Sequence, residues 1–115
     1  MRKTTSTNYE NQVKLEEYCS ASKTLSMISG RWKLSLLFAL FDQELSYSEF
    51  KNTLPGISDR MLSNQLKQLE EDGLLLKHVS KPGVYYTLSD QGKSLKPILL
   101  QLSGWGKQNI PPQPL

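Results

Sequence analysis

The sequence is poor in the residues that build disulfides, metal centres and membrane spans. Its 115 residues include one cysteine, Cys19, and one histidine, His78. A single chain therefore forms neither a disulfide nor a zinc site, and any disulfide must join two chains. The longest apolar run, residues 34–41, is interrupted by Ser35 and falls well short of the roughly 20 residues that cross a bilayer. We therefore expect no metal or other cofactor and no membrane partner.

Catalytic constellations are also missing from the sequence. It has no clustered carboxylates, no serine–histidine–aspartate set and no glycine-rich phosphate loop. These absences predict that the protein is not an enzyme. The N-terminal residues lack the apolar stretch of a secretory signal, so we also expect a cytoplasmic protein.

The composition is that of one folded domain. Hydrophobic residues make up 37% and charged residues 22% of the chain, close to globular averages. The first residues are polar without a period, and the last six contain three of the six prolines. The sequence therefore predicts a disordered tail over residues 1–10, one domain over residues 11–109 and a loose tail over residues 110–115.

The charge is mildly basic but unevenly distributed. A net charge of +3 is a bias toward polyanions that many proteins without such partners share. Residues 73–89 contain Lys77 and Lys81 and no acid at all. Three acids lie immediately before this segment: Glu70, Glu71 and Asp72. The basic segment is the first candidate for contact with a polyanion.

Two helices are predicted in the N-terminal third. Ala21, Leu25 and Ile28 follow the i, i+4, i+7 spacing of one helical face. After Gly30, residues 32–41 are apolar on almost all sides, which is typical of a helix covered by other elements. We therefore expect the second helix to lie in the core.

The next two helices are predicted by their caps. Ser46 with Glu49 forms a capping-box pattern, which predicts a helix over residues 47–53. After the sequence Leu-Pro-Gly-Ile, Ser58 caps a second helix that Gly73 ends. The buried stripe of this second helix consists of Leu62, Leu66 and Leu69. Two capped helices joined by a tight turn predict a helix-turn-helix.

A β-hairpin is predicted directly afterwards. Residues 74–79 and 84–88 are short apolar, β-branched and aromatic runs. Pro82 and Gly83 between them suit the central pair of a type II turn. Whether a short strand near Leu45 pairs with this hairpin is left open by the sequence.

A helical period returns after Ser89, and Pro97 is expected to kink this last helix. The whole pattern predicts a mainly α fold with a small antiparallel β-hairpin (α+β), namely a winged helix-turn-helix with helical dimerisation elements at both ends. The expected dimer-interface residues are apolar positions of the first and last helices: Leu25, Ile28, Leu95, Ile98, Leu99, Leu102 and Trp105. Their combined area exceeds what a small domain covers by itself.

An ordered series of motifs over residues 19–106 resembles the HxlR-type transcriptional regulators, bacterial relatives of the MarR group. The motifs are Cys19 ahead of SGRW, then SYSEFKNTLPGISDRMLSNQLKQLEEDGLL, VYYTLSDQGKSLKPIL and GWG. The resemblance implies a homodimeric regulator, more often a repressor, that binds near-palindromic double-stranded operators in the bacterial nucleoid. Three positions depart from the usual family residues: Ser20, Arg31 and Gly83. Since the family often has an arginine where Gly83 stands, the wing depends on Lys81 or contributes less.

Contacts with DNA are expected from the second helix of the helix-turn-helix and from residues beside it. The helix offers donors and acceptors opposite its buried stripe, as a helix in the major groove does, while its acids should face away from the duplex. The expected residues on this helix are Ser58, Arg60, Met61, Ser63, Asn64, Lys67 and Gln68. Flanking contacts with phosphate are expected from Lys77 and Lys81 in the hairpin and from Arg31 and Lys33. For these four, an ordinary solvated position is the alternative.

Cys19 has two interpretations that the sequence does not separate. Free cysteines are more often buried and inert than reactive. The resemblance implies instead that the cysteine at this position senses oxidants or electrophiles, with a thiol-reactive small molecule as effector. Both interpretations stay open at this stage.

The sequence therefore predicts a dimeric, sequence-specific DNA-binding regulator. The alternative from another class is a winged-helix adaptor whose polar helix face binds a protein. Salt separates the two, because affinity for DNA falls steeply as salt concentration rises.

Overall fold

The computed structural model describes the backbone of residues 3–81 and 83–112, with side chains from residue 8 onward. Its elements, in chain order, are α1 (Lys3–Ile28), α2 (Arg31–Ala39), β1 (Leu45–Ser46), α3 (Tyr47–Thr53), α4 (Asp59–Glu71), β2 (Leu75–Ser80), β3 (Gly83–Leu88), α5 (Asp90–Lys93) and α6 (Lys96–Asn109). The mainly helical fold with a small antiparallel sheet confirms the predicted class. A helix-turn-helix, α3 and α4, is followed by a hairpin, which is the order of a winged helix.

The first thirty residues form a unit of their own, and within it α1 is one long helix. α1 begins at Lys3, so residues 3–10, expected to be a disordered tail, are helical, and residues 1–2 lie outside the described part. No glycine or proline precedes Gly30, whose φ of 102° is a conformation that favours glycine. The start of α1 was missed because its residues show no apolar period. The boundary at Gly30 falls inside the single domain expected over residues 11–109.

The second unit, residues 31–115, contains the remaining elements. α2 packs against α4, and α4 packs against β2. α2 buries Leu36 and Leu37 completely, but Phe38 is 39% exposed, so the helix is not covered on all sides as expected. The largest fully buried side chains of this core are Leu36, Leu37, Phe50, Leu62, Leu66, Leu69, Leu74, Leu75 and Leu99.

The sheet has the strand order β1-β3-β2, and both pairs are antiparallel. Leu45 pairs with Tyr86, so a short strand does precede α3 and joins the hairpin. Ser80 pairs with Gly83, so the ladder between β2 and β3 extends to these two residues. The predicted turn centred on Pro82 and Gly83 is therefore wrong, because Gly83 already belongs to β3, and Pro82 itself lies outside the described residues.

The C-terminal part contains two helices where one kinked helix was predicted. Ser89 caps the short α5 by accepting a hydrogen bond from the backbone N–H of Gly92 at 3.0 Å. α6 then starts afresh at Lys96 with Pro97 in its first turn, a position where the missing N–H of proline costs nothing. Pro97 therefore begins a helix and does not kink one. Ile110 and the two residues after it follow α6 without helical structure, and residues 113–115 lie outside the described part.

Candidate nucleic-acid interface

Side-chain caps fix the start of both helices of the helix-turn-helix. The backbone N–H of Ser46 donates to Glu49 Oε1 at 2.8 Å, and the backbone N–H of Glu49 donates to Ser46 Oγ at 3.2 Å. This confirms the predicted capping box of α3. Ser58 Oγ accepts a hydrogen bond from the backbone N–H of Met61 at 3.0 Å and so caps α4. Each such cap contributes about 1 kcal/mol to helix stability.

The end of α4 is equally well defined. The backbone N–H of Leu74 donates to the carbonyl of Leu69 at 2.9 Å, and that of Gly73 donates to Glu70 at 3.0 Å. These two bonds make a Schellman motif, in which the residue after the C-cap adopts a positive φ. Gly73 has a φ of 81°, so the predicted stop at this glycine is confirmed.

α4 is strongly amphipathic. Leu62, Leu66 and Leu69 are buried, as predicted. All seven side chains expected to contact DNA are exposed, and Met61, at 37%, is only just so: Ser58, Arg60, Met61, Ser63, Asn64, Lys67 and Gln68. Helical spacing places Arg60 and Asn64 at the centre of the face opposite the leucines.

The acids at the end of α4 lie on two different faces. Glu71 follows Arg60 and Asn64 at i+11 and i+7, so helical spacing puts it on the same exposed line, about two turns beyond Asn64. Glu70 instead lines a hollow between α4, α3 and the sheet. The expectation that all three acids face away from a duplex remains a prediction, and the place of Glu71 on the line of Arg60 and Asn64 does not favour it.

The hollow beside α4 brings together residues from four elements. Its lining consists of Tyr47, Ser63, Lys67, Glu70, Lys77 and Tyr86. Burial raises the pKa of the Tyr86 hydroxyl above its ordinary value, and the nearby charge of Glu70 raises it further. Lys67 and Lys77, which were expected to contact DNA from separate elements, therefore lie along one hollow.

Two α3 side chains that the sequence reasoning missed hold the start of α4. Tyr47 Oη donates to the carbonyl oxygen of Asp59 at 2.9 Å and shares a hydrogen bond of 3.2 Å with Ser63 Oγ. Lys51 Nζ donates to the carbonyl of Ile57 at 3.1 Å and lies 2.8 Å from Asp59 Oδ1. The sequence contained a signal for this pair, because a helix that starts at Tyr47 places Tyr47 and Lys51 one turn apart on the same face.

The wing is a hairpin in which all six residues of β2 pair with the six residues of β3. Lys77 lies opposite Tyr86 in the ladder, and Lys81 is exposed in the loop. His78 stacks on Tyr85 with ring centroids 4.7 Å apart, and its Nε2 lies 2.8 Å from Thr87 Oγ1. His78 is therefore part of the surface of the sheet, while Lys77 and Lys81 supply the positive charge of the wing.

Arg31 and Lys33 begin α2 in different surroundings. The Arg31 guanidinium lies 4.5 Å from the centroid of the Trp32 ring, a cation–π distance, and the side chain is exposed. Lys33 is half-buried. Arg31 is thus the more accessible of the two cations, although stacking on Trp32 restrains it.

Cys19 lies on α1 and is exposed. It lines a shallow surface hollow with Gln12, Leu15, Glu16 and Ser20, all of them on α1. The interpretation of Cys19 as a buried, inert residue does not fit this exposure. Whether the thiol is reactive stays a prediction.

The structure divides the residues expected at a dimer interface into two groups. Leu95 and Leu99 are buried in the chain itself, and Ile28 is only 4% exposed, so these three are not available to a partner. The apolar stripe predicted from the sequence combined residues from two faces of α6. Leu95 and Leu99, four residues apart, lie on the inner face, and the other members of the stripe lie on the outer face. The accessible residues are Leu25 at 55%, Ile98 at 54%, Leu102 at 52% and Trp105 at 62% exposure.

Other classes of site find no support among the described residues. In that part of the chain, no group of three or more histidine, cysteine or acidic residues is placed to hold a metal ion. None of the helices described there is both long and apolar enough to cross a membrane.

The capped helix-turn-helix, its exposed polar second helix and the paired hairpin define a winged-helix protein of the transcriptional-regulator class. The model of the HxlR-like helix-turn-helix family matches residues 27–114, and the chain belongs to that family. A curated relative is YdeP of Bacillus subtilis (strain 168), an uncharacterized HTH-type transcriptional regulator. It is 39% identical over 95 residues, which span 80% of this chain and 74% of YdeP. The chain is thus a transcriptional regulator of the helix-turn-helix type.

Two similar solved structures are regulators with known redox forms. The redox regulator HypR in its oxidized form is 37% identical, with a TM-score of 0.73, and the match covers 82% of this chain and all of HypR. The reduced form of the transcriptional regulator YodB from B. subtilis is 28% identical, with a TM-score of 0.74, over 81% of this chain and 94% of YodB. Diamide-treated and quinone-bound forms of YodB are also similar to this chain.

Proposed function

We propose that this chain is a homodimeric, sequence-specific DNA-binding regulator that acts on near-palindromic operators, most simply as a repressor. The observation that carries the proposal is the face of α4, where Arg60 and Asn64 stand exposed directly opposite a fully buried leucine stripe. A helix fixed in this way offers base-reading side chains without unfolding any part of the core. The family and its HTH-type relatives support the same role.

In this proposal Arg60, Asn64 and Gln68 select bases in the major groove. Arginine pairs well with guanine and asparagine or glutamine with adenine, because each forms two hydrogen bonds to one base edge. Ser58 and Met61 stand at the same end of α4, the end that docked recognition helices usually present. Ser63 has a different role, since its hydroxyl already bonds Tyr47.

The cations around α4 anchor the protein to the backbone of the duplex. Lys67 and Lys77 line one hollow beside the helix, and Lys81 is exposed in the loop of the wing. Arg31 and Lys33 at the start of α2 complete the set of proposed phosphate contacts. Such contacts position a protein on DNA and make its affinity depend on salt, but they carry no sequence information.

The proposed dimer uses the exposed apolar side chains of α1 and α6. Ile98, Leu102 and Trp105 follow one another at i, i+4 and i+7, which makes a continuous outward stripe on α6. Leu25 adds to a second exposed row on α1 that also contains Leu15 and Tyr18. Burying such rows against a second copy gains roughly 25 cal/mol per Å² of apolar surface. The dimer places two α4 helices about one duplex turn apart, roughly 34 Å.

We include a redox response through Cys19 in the proposal. The thiol is exposed, and the similar structures include a protein titled a redox regulator in its oxidized form. Because the chain has one cysteine, oxidation to a disulfide joins two subunits or captures a small thiol. The effector of this response is an oxidant or an electrophile. The proposed regulator has no catalytic role, and its proposed place of action is the cytoplasmic nucleoid.

The test is fluorescence anisotropy with duplexes tiled over the DNA upstream of the gene. The expected result is one tightly bound duplex, whose affinity falls steeply between 50 and 200 mM salt, on the order of a thousandfold or more for a protein with six or more phosphate contacts. The same duplex is then measured with reduced protein, diamide-treated protein and Cys19→Ser. A redox response appears as an effect of diamide on affinity that Cys19→Ser lacks. Equal affinity in all three measurements would exclude Cys19 as a redox sensor and would leave the proposed DNA binding unaffected.

A protein-binding adaptor is the second candidate, and the exposed polar side chains of α4 favour it, because such a face can also bind a protein. An adaptor would show weak binding to all duplexes with no preferred sequence. The salt titration and the tiled duplexes therefore decide between the two candidates in a single experiment.

A further inference from the structure

Lys51 is held on the first turn of α4 although it belongs to α3. Its ammonium lies 2.8 Å from Asp59 Oδ1 and donates to the carbonyl of Ile57 at 3.1 Å. The Lys51 side chain is 36% exposed and that of Asp59 is 78% exposed. The pair therefore joins a partly covered lysine to a carboxylate that is open to solvent.

The position of Asp59 gives this pair its importance. Asp59 directly precedes Arg60 and lies at the end of α4 from which Arg60 and Asn64 project. A free carboxylate there would repel the phosphates of a duplex bound at this end of α4, because charges closer than the Debye length of about 10 Å at 0.1 M salt are only partly screened. The chain thus has an acid beside its proposed DNA-binding surface.

We propose that Lys51 is a positioning residue for DNA recognition, which cancels the charge of Asp59 and fixes that carboxylate away from the duplex. The inference rests on the DNA-binding function proposed above. It assigns to α3 a role in affinity that does not require α3 to touch DNA. The same contact with the Ile57 carbonyl ties Lys51 to the turn that leads into α4.

The geometry separates this role from simple support of the fold. Tyr47, one turn before Lys51 on α3, independently bonds the Asp59 carbonyl and Ser63. The leucines of α4 are buried in the core, so we expect them to hold the helix in place without Lys51. Exposed ion pairs contribute little to stability, so loss of Lys51 should leave α4 docked and its Asp59 carboxylate uncompensated.

The test compares four proteins on the operator duplex at 0.1 M salt: wild type, Lys51→Ala, Asp59→Asn and the double variant. Lys51→Ala is expected to bind about threefold to fivefold more weakly, the scale of an uncompensated surface charge. Asp59→Asn is expected to bind at least as tightly as wild type, and the double variant should return to within about twofold of it. A double variant as weak as Lys51→Ala would overturn the proposal, because it would mark Lys51 as a direct contact.

A matched control removes the effect of net charge alone. Asp72, the C-cap of α4, is an exposed acid at the opposite end of this 13-residue helix. In the Lys51→Ala background, Asp72→Asn restores the same net charge but should recover little affinity, since the helix is about 20 Å long and the charge lies two Debye lengths away. Equal recovery by Asp72→Asn and Asp59→Asn would contradict the proposal.

Two further measurements keep the result interpretable. The pKa of the Asp59 carboxyl, followed by NMR without DNA, should lie below its ordinary value in wild type and rise in Lys51→Ala, and an unchanged pKa would refute the pairing. Thermal unfolding shows whether Lys51→Ala folds, with Lys51→Gln as the replacement if it does not. Normal, salt-dependent binding by wild type with no effect of either variant overturns this inference alone, whereas a wild type that binds no DNA overturns the proposed function as well.

Discussion

Tyr47 and Ser63 share a hydrogen bond of 3.2 Å across the helix-turn-helix, and the Tyr47 hydroxyl also donates to the Asp59 carbonyl at 2.9 Å. This contact fixes the angle at which α3 meets α4 without burying a charge. Tyr47→Phe removes both bonds and keeps the ring, so we expect the free energy of unfolding to fall by about 1 kcal/mol. Urea denaturation measures it. Tyr18→Phe, on the exposed surface of α1, is the control and should leave the midpoint unchanged.

Arg60 and Lys81 should have different effects on DNA binding, since one is expected to read a base and the other a phosphate. Arg60→Ala should cost about 1–3 kcal/mol on the operator and relax the preference at one base position. Lys81→Ala should weaken all duplexes alike and lower the salt slope by about one. Binding to a library of single-base operator variants at several salt concentrations measures both effects. Identical profiles for the two variants would contradict these roles.

The two faces of α6 predict opposite outcomes for similar substitutions. Leu99→Ala empties a fully buried position and should lower the free energy of unfolding by about 2–5 kcal/mol. Trp105→Ala removes an exposed ring, so it should weaken self-association and leave the fold of each subunit intact. Sedimentation velocity over a range of protein concentrations tests the second outcome. A Trp105→Ala protein that dimerises like wild type would exclude this stripe from the interface.

Tyr86 should make the fold sensitive to alkaline pH. Its pKa is raised by burial and by the charge of Glu70, so the folded state disfavours the phenolate. A group whose pKa is higher in the folded state contributes stability that is complete below its unfolded pKa of about 10 and is lost as pH rises through the folded pKa. Tyr86→Phe should therefore lose less stability than wild type between pH 9 and 11. Parallel loss in the two proteins would show that Tyr86 is not responsible.

Gly92 of α5 packs against the backbone of Leu74, the residue just before β2, and no side chain fits there. A Cβ atom at this position would overlap the carbonyl oxygen of Leu74 and approach Leu88. Gly92→Ala should therefore destabilise the protein by about 1–3 kcal/mol, although alanine is the better helix former. Thermal unfolding measures the change. Gln91→Ala, an exposed neighbour in the same helix, should stay within about 0.5 kcal/mol of wild type.

The helix-turn-helix was predictable because its signals are local. Ser46 with Glu49 and Ser58 before Met61 place caps within one turn of the groups they bond, and Gly73 supplies the positive φ of a helix end. Exposure of Arg60 and Asn64 follows from the same helical period. These features depend on neighbours within a few residues, so the sequence alone carries them.

The features that were missed depend on contacts between distant residues or on the absence of a signal. Tyr47 and Lys51 acquire their roles only when α3 docks on α4. Leu99 and Ile98 are adjacent in sequence, and only packing shows that one is buried and the other exposed. Most of α1 lacks an apolar period, and helices of that kind are recognised by the lack of breaking residues alone.

Cys19 is the sole thiol of the chain and it is exposed, so labelling of this thiol measures the oxidation state of the protein directly. A thiol-reactive dye takes up one equivalent per subunit when the protein is reduced and none when two subunits are covalently coupled. Intermediate labelling then counts the converted fraction directly, with no alternative pairing of sulfur atoms within one subunit to resolve. Any change in operator binding under an oxidant can thus be compared, molecule for molecule, with the number of thiols that have reacted.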